Sequence, residues 1–372
     1  MIPILDLARQ YATIKDEVDA AILNVVSSTQ FILGPHVKAF EQAAAEYCGC
    51  RYAIGVASGT DALLLSLKVL GIGPGDRVIL PSFTFFATAG VVHHAGATPV
   101  FCDIDPGTFN LDTDHLRELL RDSELADKAK AVIPVHLYGQ MADMDDLMAV
   151  ASEFDLAVVE DAAQAIGASY RGAKAGTMGK VGCFSFYPTK NLGAYGDGGM
   201  VITNDEALAD RVRMLRVHGA QPKYFHRLVG FNSRLDAIQA AILSVKLRHL
   251  DAWSAARGEV ADRYDASLAS LPGIRPPARA VGRSHIFHQY TIRVENGHRD
   301  QLRKQLSTAG VGTMIYYPIP LHLQECFEHL GYCEGQLPQS ERASREVLSL
   351  PIFPELTHAE QQRVVECIAT FL

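Results

Sequence analysis

The chain predicts an α/β fold: a mostly parallel central sheet with helices on both faces, followed by a smaller C-terminal α+β domain. Three observations carry that expectation. Short apolar runs alternate with amphipathic helical stretches from residue 52 to about 217. Glycine, proline and aspartate punctuate the joins between them. A long Ala- and Leu-rich helical stretch from Arg234 to about Leu268 then gives way to a different texture at Leu271-Pro-Gly and Pro276-Pro277. A boundary placed inside that stretch divides the chain into a large domain, 1–247, and a small one, 248–372. For 372 residues, two such units are expected.

The first helix is read from Thr13 onward, where Ile14, Val18, Ile22, Val25 and Val26 share one face until Gly34-Pro35 breaks the pattern. Strands are expected at Tyr52–Ala57, Arg77–Leu80, Thr98–Cys102, Ala131–Val135, Leu156–Glu160, Val181–Tyr187 and Met200–Thr203. Helices are expected between them at Asp61–Leu70, Asp112–Arg121, Asp143–Phe154 and Asp205–Val217. In the small domain the pattern predicts strands at Gln289–Val294 and Gly312–Tyr317, with helices at Asp300–Ala309 and Ala359–Thr370.

Composition narrows the function classes. Hydrophobic residues at 48% and charged residues at 20% describe an ordinary globular chain rather than a disordered one. A formal charge of -8 argues against broad attraction to nucleic acid or anionic lipid. The amino terminus lacks a secretory pattern and no apolar run is long enough to span a bilayer, so a cytoplasmic protein is expected. Seven cysteines without a paired CxxC spacing suggest neither a disulfide framework nor a zinc site, and no metal is expected.

On a parallel sheet, ligands collect at the carboxyl ends of strands, and three such ends carry distinctive chemistry. Ser58-Gly59-Thr60-Asp61 follows a strand and opens a helix, a place suited to a phosphate, although a plain N-cap by Ser58 or Thr60 explains the same residues. Glu160-Asp161-Ala-Ala-Gln164 puts carboxylates at the exit of a buried strand, where an acid needs a partner. Asp161 suits a protonated ring nitrogen, a metal or a ribose, while Glu160 suits a structural acceptor. Lys190 follows a strand exit and Pro188, and an amine there reacts with a carbonyl only if burial or a nearby cation lowers its pKa from about 10.4. Gly196 to Gly199 match neither a dinucleotide fingerprint nor a P-loop. A phosphate cradle, an acid for a ring nitrogen and a carbonyl-binding lysine are together the attachments of pyridoxal 5'-phosphate.

Seven stretches together resemble the DegT/DnrJ/StrS family of sugar-nucleotide aminotransferases, which adopt the fold-type I architecture of pyridoxal-phosphate-dependent transferases. They are Phe31-Ile-Leu-Gly-Pro, Ala57-Ser-Gly-Thr-Asp-Ala, Val135-His-Leu-Tyr-Gly, Glu160-Asp-Ala-Ala-Gln, Phe184-Ser-Phe-Tyr-Pro-Thr-Lys-Asn-Leu-Gly, Gly230-Phe-Asn-Ser-Arg-Leu-Asp and Tyr317-Pro-Ile-Pro-Leu-His. The resemblance implies that Lys190 is the Schiff-base lysine, Asp161 the pyridinium partner and Gln164 a neighbour of the phenolic oxygen. It further implies that Gly59, Thr60 and Ser185 hold the phosphate and that the ring of Phe85 covers the pyridine face. Asn232 and Arg234 would reach the active site of a partner subunit, so a homodimer with shared sites is implied.

The same resemblance implies L-glutamate as amino donor and a nucleotide-linked keto sugar as acceptor. The text around Lys190 is similar to enzymes that aminate carbon 3, whereas the branch acting at carbon 4 commonly shows Thr-Thr-Gly-Glu-Gly after its lysine. A 3-oxo-6-deoxyhexose carried on dTDP and a 3-oxo-uronate carried on UDP both stay open. Relatives acting on the uronate often have His-Tyr-Pro where this chain has Tyr316-Tyr317-Pro318. Tyr224, Arg234, Tyr316, Tyr317 and His322 are the substrate candidates. A noncatalytic, cofactor-binding regulator is the competing class, and the intact Asp161 and Lys190 argue against it.

Overall fold

In the computed structural model, which describes residues 1–371, each strand of the central sheet sends alternate side chains to opposite faces. Val158, Met200 and Ile202 enter one hydrophobic core, and Val159, Val181 and Val201 enter another. A sheet buried on both faces needs apolar residues at both parities, which is why its strands read as continuous apolar runs.

The strands in chain order are β1 (Tyr52–Val56), β2 (Arg77–Pro81), β3 (Thr98–Cys102), β4 (Ala129–Val132), β5 (Ala157–Asp161), the short hairpin β6 (Ser169–Tyr170) and β7 (Ala173–Lys174), β8 (Val181–Ser185) and β9 (Gly199–Thr203). The seven-stranded sheet runs β1-β9-β8-β5-β4-β2-β3. Only β9 is antiparallel to its neighbours, so six strand ends share one edge.

The first helix, Leu7–Ser28, starts ahead of the expected position because Asp6 caps it, its side chain accepting from the N–H groups of Ala8 and Arg9. It ends at Ser28, where Thr29 turns left-handed at φ 57°, ahead of Gly34-Pro35, which only opens the next helix. Pro35 is the first residue of an unforeseen helix, Pro35–Cys48, where its fixed φ suits a helix start and its missing N–H costs nothing.

The single long helix expected from Arg234 to Leu268 is two helices, Ala237–Leu247 and Leu250–Leu268. The N–H groups of Arg248 and His249 bond Val245 and Lys246, three residues back, tightening the last turn and ending the first helix. Leu247 and Leu250 flank the break, both buried in the core of the large sheet, whereas Val260 and Tyr264 belong to a separate core.

That separate core covers a three-stranded antiparallel sheet of β10 (Ile274–Arg275), β11 (Tyr290–Val294) and β12 (Val347–Leu350). The strand expected at Gly312–Tyr317 does not form. Met314 makes one bridge to Ser349, after which the chain leaves the sheet, and Pro318 and Pro320 lack the donors a ladder needs. The two cores exchange segments: Ile2 and Leu5 pack in the small one, while Leu321, Phe327 and Leu337 pack against the large sheet. The exchange sets Tyr316 and Tyr317 over the strand ends.

Candidate active site

A cavity of about 570 Å³ opens where the parallel strands end. Its floor comes from residues following β1, β2, β5 and β8, and His288, Gln289, Tyr316 and Tyr317 close it from the other side.

After β1, Ser58 is in extended conformation and its side chain accepts from the N–H of Asp61 at 3.1 Å, which caps the helix Gly59–Val69. The cap and the anion site are therefore compatible. Ser58 satisfies Asp61, and the N–H groups of Gly59 and Thr60 make no hydrogen bond to protein among the described residues. Glycine is required at 59 because a Cβ there would lie 2.6 Å from Cβ of Ser185. The helix start and the end of β8 thus close around one small volume, shaped for a phosphate.

At the opposite end Asp161, the last residue of β5, is buried. Its Oδ2 accepts from Thr88 Oγ1 at 2.8 Å and its Oδ1 from the N–H of Ala163 at 3.2 Å. Desolvation raises its pKa, opposed by those two hydrogen bonds and by the charge of Lys190. A buried carboxylate in that balance calls for a cation, and a protonated pyridine nitrogen would supply one.

Lys190 is half-buried in a turn after β8, its N–H donating to the carbonyl of Tyr187 at 2.8 Å. Burial lowers its amine from 10.5 to about 8, against the pull of Asp161. An appreciable share is therefore neutral and nucleophilic near neutrality. Gln164 is fixed on both sides: its Oε1 accepts from the N–H of Tyr138 at 2.8 Å, and its Nε2 donates to the hydroxyl of Tyr317 at 3.1 Å. Phe85 is 55% exposed and stands 6.1 Å from Tyr317 between ring centroids, so its face is free to cover a planar ligand. Phosphate cradle, buried acid and partly neutral amine all fit pyridoxal phosphate.

Of the residues expected from the sequence, the cavity brings together Gly59, Thr60, Phe85, Asp161, Gln164, Ser185, Lys190, Tyr316 and Tyr317. Asn232, Arg234 and Tyr224 do not line it; Asn232 is exposed and Tyr224 is 78% exposed on the segment before it. His322 is corrected outright. Its ring is buried, with Nδ1 at 2.6 Å from Ser82 Oγ and Nε2 at 3.3 Å from Glu341 Oε1, so it fastens the chain to the end of β2 and has no access to a substrate.

Thr88, Asp197, His288 and Gln289 were not foreseen. Thr88 lies one helical turn beyond Thr84, a spacing that could have revealed it, but His288 reaches the cavity only through packing of the small sheet.

Fold and cavity define a pyridoxal-phosphate-dependent enzyme of fold type I. Residues 12–369 match the DegT/DnrJ/EryC1/StrS aminotransferase family, and the chain belongs to that family. It is 52% identical over 372 residues to a pleiotropic regulatory protein of Geobacillus stearothermophilus, covering 100% of this chain and 98% of the relative. It is 46% identical over 367 residues to a dTDP-3-amino-3,4,6-trideoxy-alpha-D-glucose transaminase of Streptomyces venezuelae, covering 99% and 95% of the two chains. The crystal structure of S. venezuelae DesV in complex with a ketimine intermediate superposes with a TM-score of 0.95 at 44% identity, covering 100% of this chain and 98% of that one. The chain is thus an aminotransferase, and pyridoxal phosphate is its cofactor.

Proposed function

We propose that this enzyme transfers the amino group of L-glutamate to the C3 ketone of a nucleotide-linked sugar, in the cytoplasm, as a homodimer whose subunits share each active site. The observation that carries the reading is the convergence of Lys190 and Asp161 on one cavity. The carbon position is supported by the 3-amino sugar in the name of the S. venezuelae transaminase. A dTDP-linked 3-oxo-6-deoxyhexose and a UDP-linked 3-oxo-uronate are both supported, since relatives named for each type are 46% and 45% identical.

When bound, pyridoxal phosphate supplies a carbonyl that takes up the donor's nitrogen and a ring that accepts an electron pair. Lys190 Nζ takes the proton from the α-carbon of the donor and, in the second half of the cycle, returns one to the sugar carbon on the face from which it projects. Asp161 holds the proton on the ring nitrogen, Thr88 keeps that carboxylate oriented, and Gly59, Thr60 and Ser185 bind the phosphate. Tyr316 and Tyr317 wall the cavity against water. Asn232 and Arg234, exposed or half-buried and outside this chain's own cavity, are available to a neighbouring subunit. Tyr224 is exposed in the same way and suits the nucleotide of that neighbour's substrate.

A regulatory role without catalysis is suggested by the name of the G. stearothermophilus relative, but no feature of the cavity favours it. No helix among the described residues is long and apolar enough to cross a membrane. The test offers a panel of keto-sugar nucleotides to the pyridoxamine form and identifies products by mass spectrometry. A 3-amino sugar is expected; exclusive amination at carbon 4 would overturn the assignment. Sedimentation of the loaded enzyme checks the dimer.

A further inference from the structure

Arg257, on the helix Leu250–Leu268, is only 3% exposed. Its Nη1 donates to the carbonyls of Phe287 at 3.1 Å and Ile352 at 2.9 Å, but among the described residues no carboxylate lies within ion-pair distance of the guanidinium. The acid whose charge reaches it is Glu355. Glu355 is a poor counterion: burial opposes its own ionisation, its Oε2 has no partner, and its charge also acts on the buried amine of Lys246. A guanidinium this deep without a matched anion is costly, and a bound anion relieves the cost.

A small hollow of about 50 Å³ lies against Arg257, with Ile4 and Leu5 among its lining residues. Thr189, His288, Gln289 and Tyr316 line both this hollow and the main cavity. Thr189 immediately precedes the reactive Lys190, and the field at the His288 ring comes from both Lys190 and Arg257. Gln289 keeps a buried Oε1 without a partner, and a half-turn of that amide exchanges it for an N–H donor. The hollow therefore offers a cation and a rotatable amide, with Thr189 in its wall, in a space about the size of one carboxylate.

We infer that this hollow is the subsite for a carboxylate of the amino donor, with Arg257 as the residue that binds it. The inference rests on an amino acid being the donor, as proposed above. It explains how one cavity accepts two unlike substrates in turn. The donor brings an anion that fills the hollow, whereas the keto sugar leaves it to water and is held elsewhere. Arg257 thus sets donor specificity without touching the sugar.

The test titrates glutarate, a dicarboxylate without a reactive amine, into the cofactor-loaded enzyme by calorimetry. It also follows each half-reaction separately by absorbance. With Arg257→Gln, the Kd for glutarate and the half-saturation for L-glutamate should rise roughly 10- to 100-fold, the worth of a lost charged hydrogen bond, while KM for the sugar half-reaction stays put. Arg257→Lys keeps the charge without the fork and should fall between; it decides the matter if the Gln variant does not fold. Wild-type glutarate affinity in the variant that folds would overturn the inference. So would equal losses in both half-reactions with a lower Tm, which would make Arg257 only an anchor for Phe287 and Ile352. If wild-type enzyme binds glutarate but does not react with L-glutamate, the donor assignment fails while the glutarate comparison still reads the subsite.

Discussion

Glu160 and Asp161 are neighbours on β5 whose carboxylates leave the strand on opposite faces and serve opposite ends. Glu160 accepts from the N–H groups of Gly176, Met178 and Gly179 at 2.8, 2.7 and 2.6 Å and lies 2.8 Å from His136 Nε2. It ties the loop before β8 to the strand that presents Asp161, which faces the cavity. The pair should separate under substitution. Glu160→Gln sets an NH2 group among donors that need acceptors and should cost about 2–4 kcal/mol of stability, with a modest loss of kcat in whatever folds. Asp161→Asn should change urea stability little but lower kcat on the order of 10³-fold. Equal stability losses in the two would refute the division of labour.

On the proposed assignment, the amine of Lys190 governs how the enzyme takes up its cofactor. Only the neutral amine attacks a carbonyl, and its pKa is about 8, so the rate of pyridoxal phosphate capture by the apoprotein should climb as pH rises toward about 8 and then level off. Asp161 stabilises the charged amine, hence Asp161→Asn should move that inflection to lower pH. Stopped-flow absorbance across pH 6 to 10 reads both curves. An inflection near the ordinary lysine value in wild-type protein would show that burial does not tune this group.

The central sheet was legible because strands buried on both faces carry apolar residues at both parities, and β2, β3 and β9 fell within a residue of expectation. The small sheet was not. Its strand Val347–Leu350 follows the helix Pro338–Glu346 with no turn residue between, and that helix is so rich in charge that periodicity hides it. The place of Asp161 and Lys190 in the cavity was visible because each stands at a strand exit. Thr88 and His288 were not, since what they face depends on packing between distant segments. His322 shows the reverse failure: a histidine beside a proline-rich turn looks available, and only its seat between Ser82 and Glu341 shows that it is not.

Gly59 holds the helix start against Ser185, and Gly59→Ala tests that contact directly. The added Cβ would come within 2.6 Å of Cβ of Ser185, so the helix start or the end of β8 must move. Stability should fall by about 1–3 kcal/mol, and the Kd for pyridoxal phosphate, followed by equilibrium dialysis, should rise about tenfold or more as the cradle opens. Adding Ser185→Gly removes the nearest clashing atom and should recover part of the stability but little affinity, because the Ser185 hydroxyl is lost too. Unchanged cofactor affinity in Gly59→Ala would place the phosphate elsewhere.

Lys246 is 1% exposed, and its Nζ donates to the carbonyl of Gly193 at 2.6 Å, three residues beyond Lys190. The rings of Tyr195 and Trp253 lie 5.0 and 6.0 Å from that amine. Burial lowers its pKa from 10.5 to about 8, with Glu355 pulling the other way. The unfolded chain therefore binds more protons than the folded one between pH 8 and 10.5, and stability should rise with pH across that window. Lys246→Met keeps the length of the side chain, removes a costly buried charge and leaves the Gly193 carbonyl unpaired, two effects of opposite sign. Net stability at pH 7 should change by only about 1 kcal/mol, while this residue's share of the alkaline rise in urea midpoint disappears. The turn carrying Lys190 would lose its tether, so cofactor capture should slow several-fold at every pH rather than shift its inflection. A shifted inflection with an unchanged plateau would mean that Lys246 acts on Lys190 through its charge and not through Gly193.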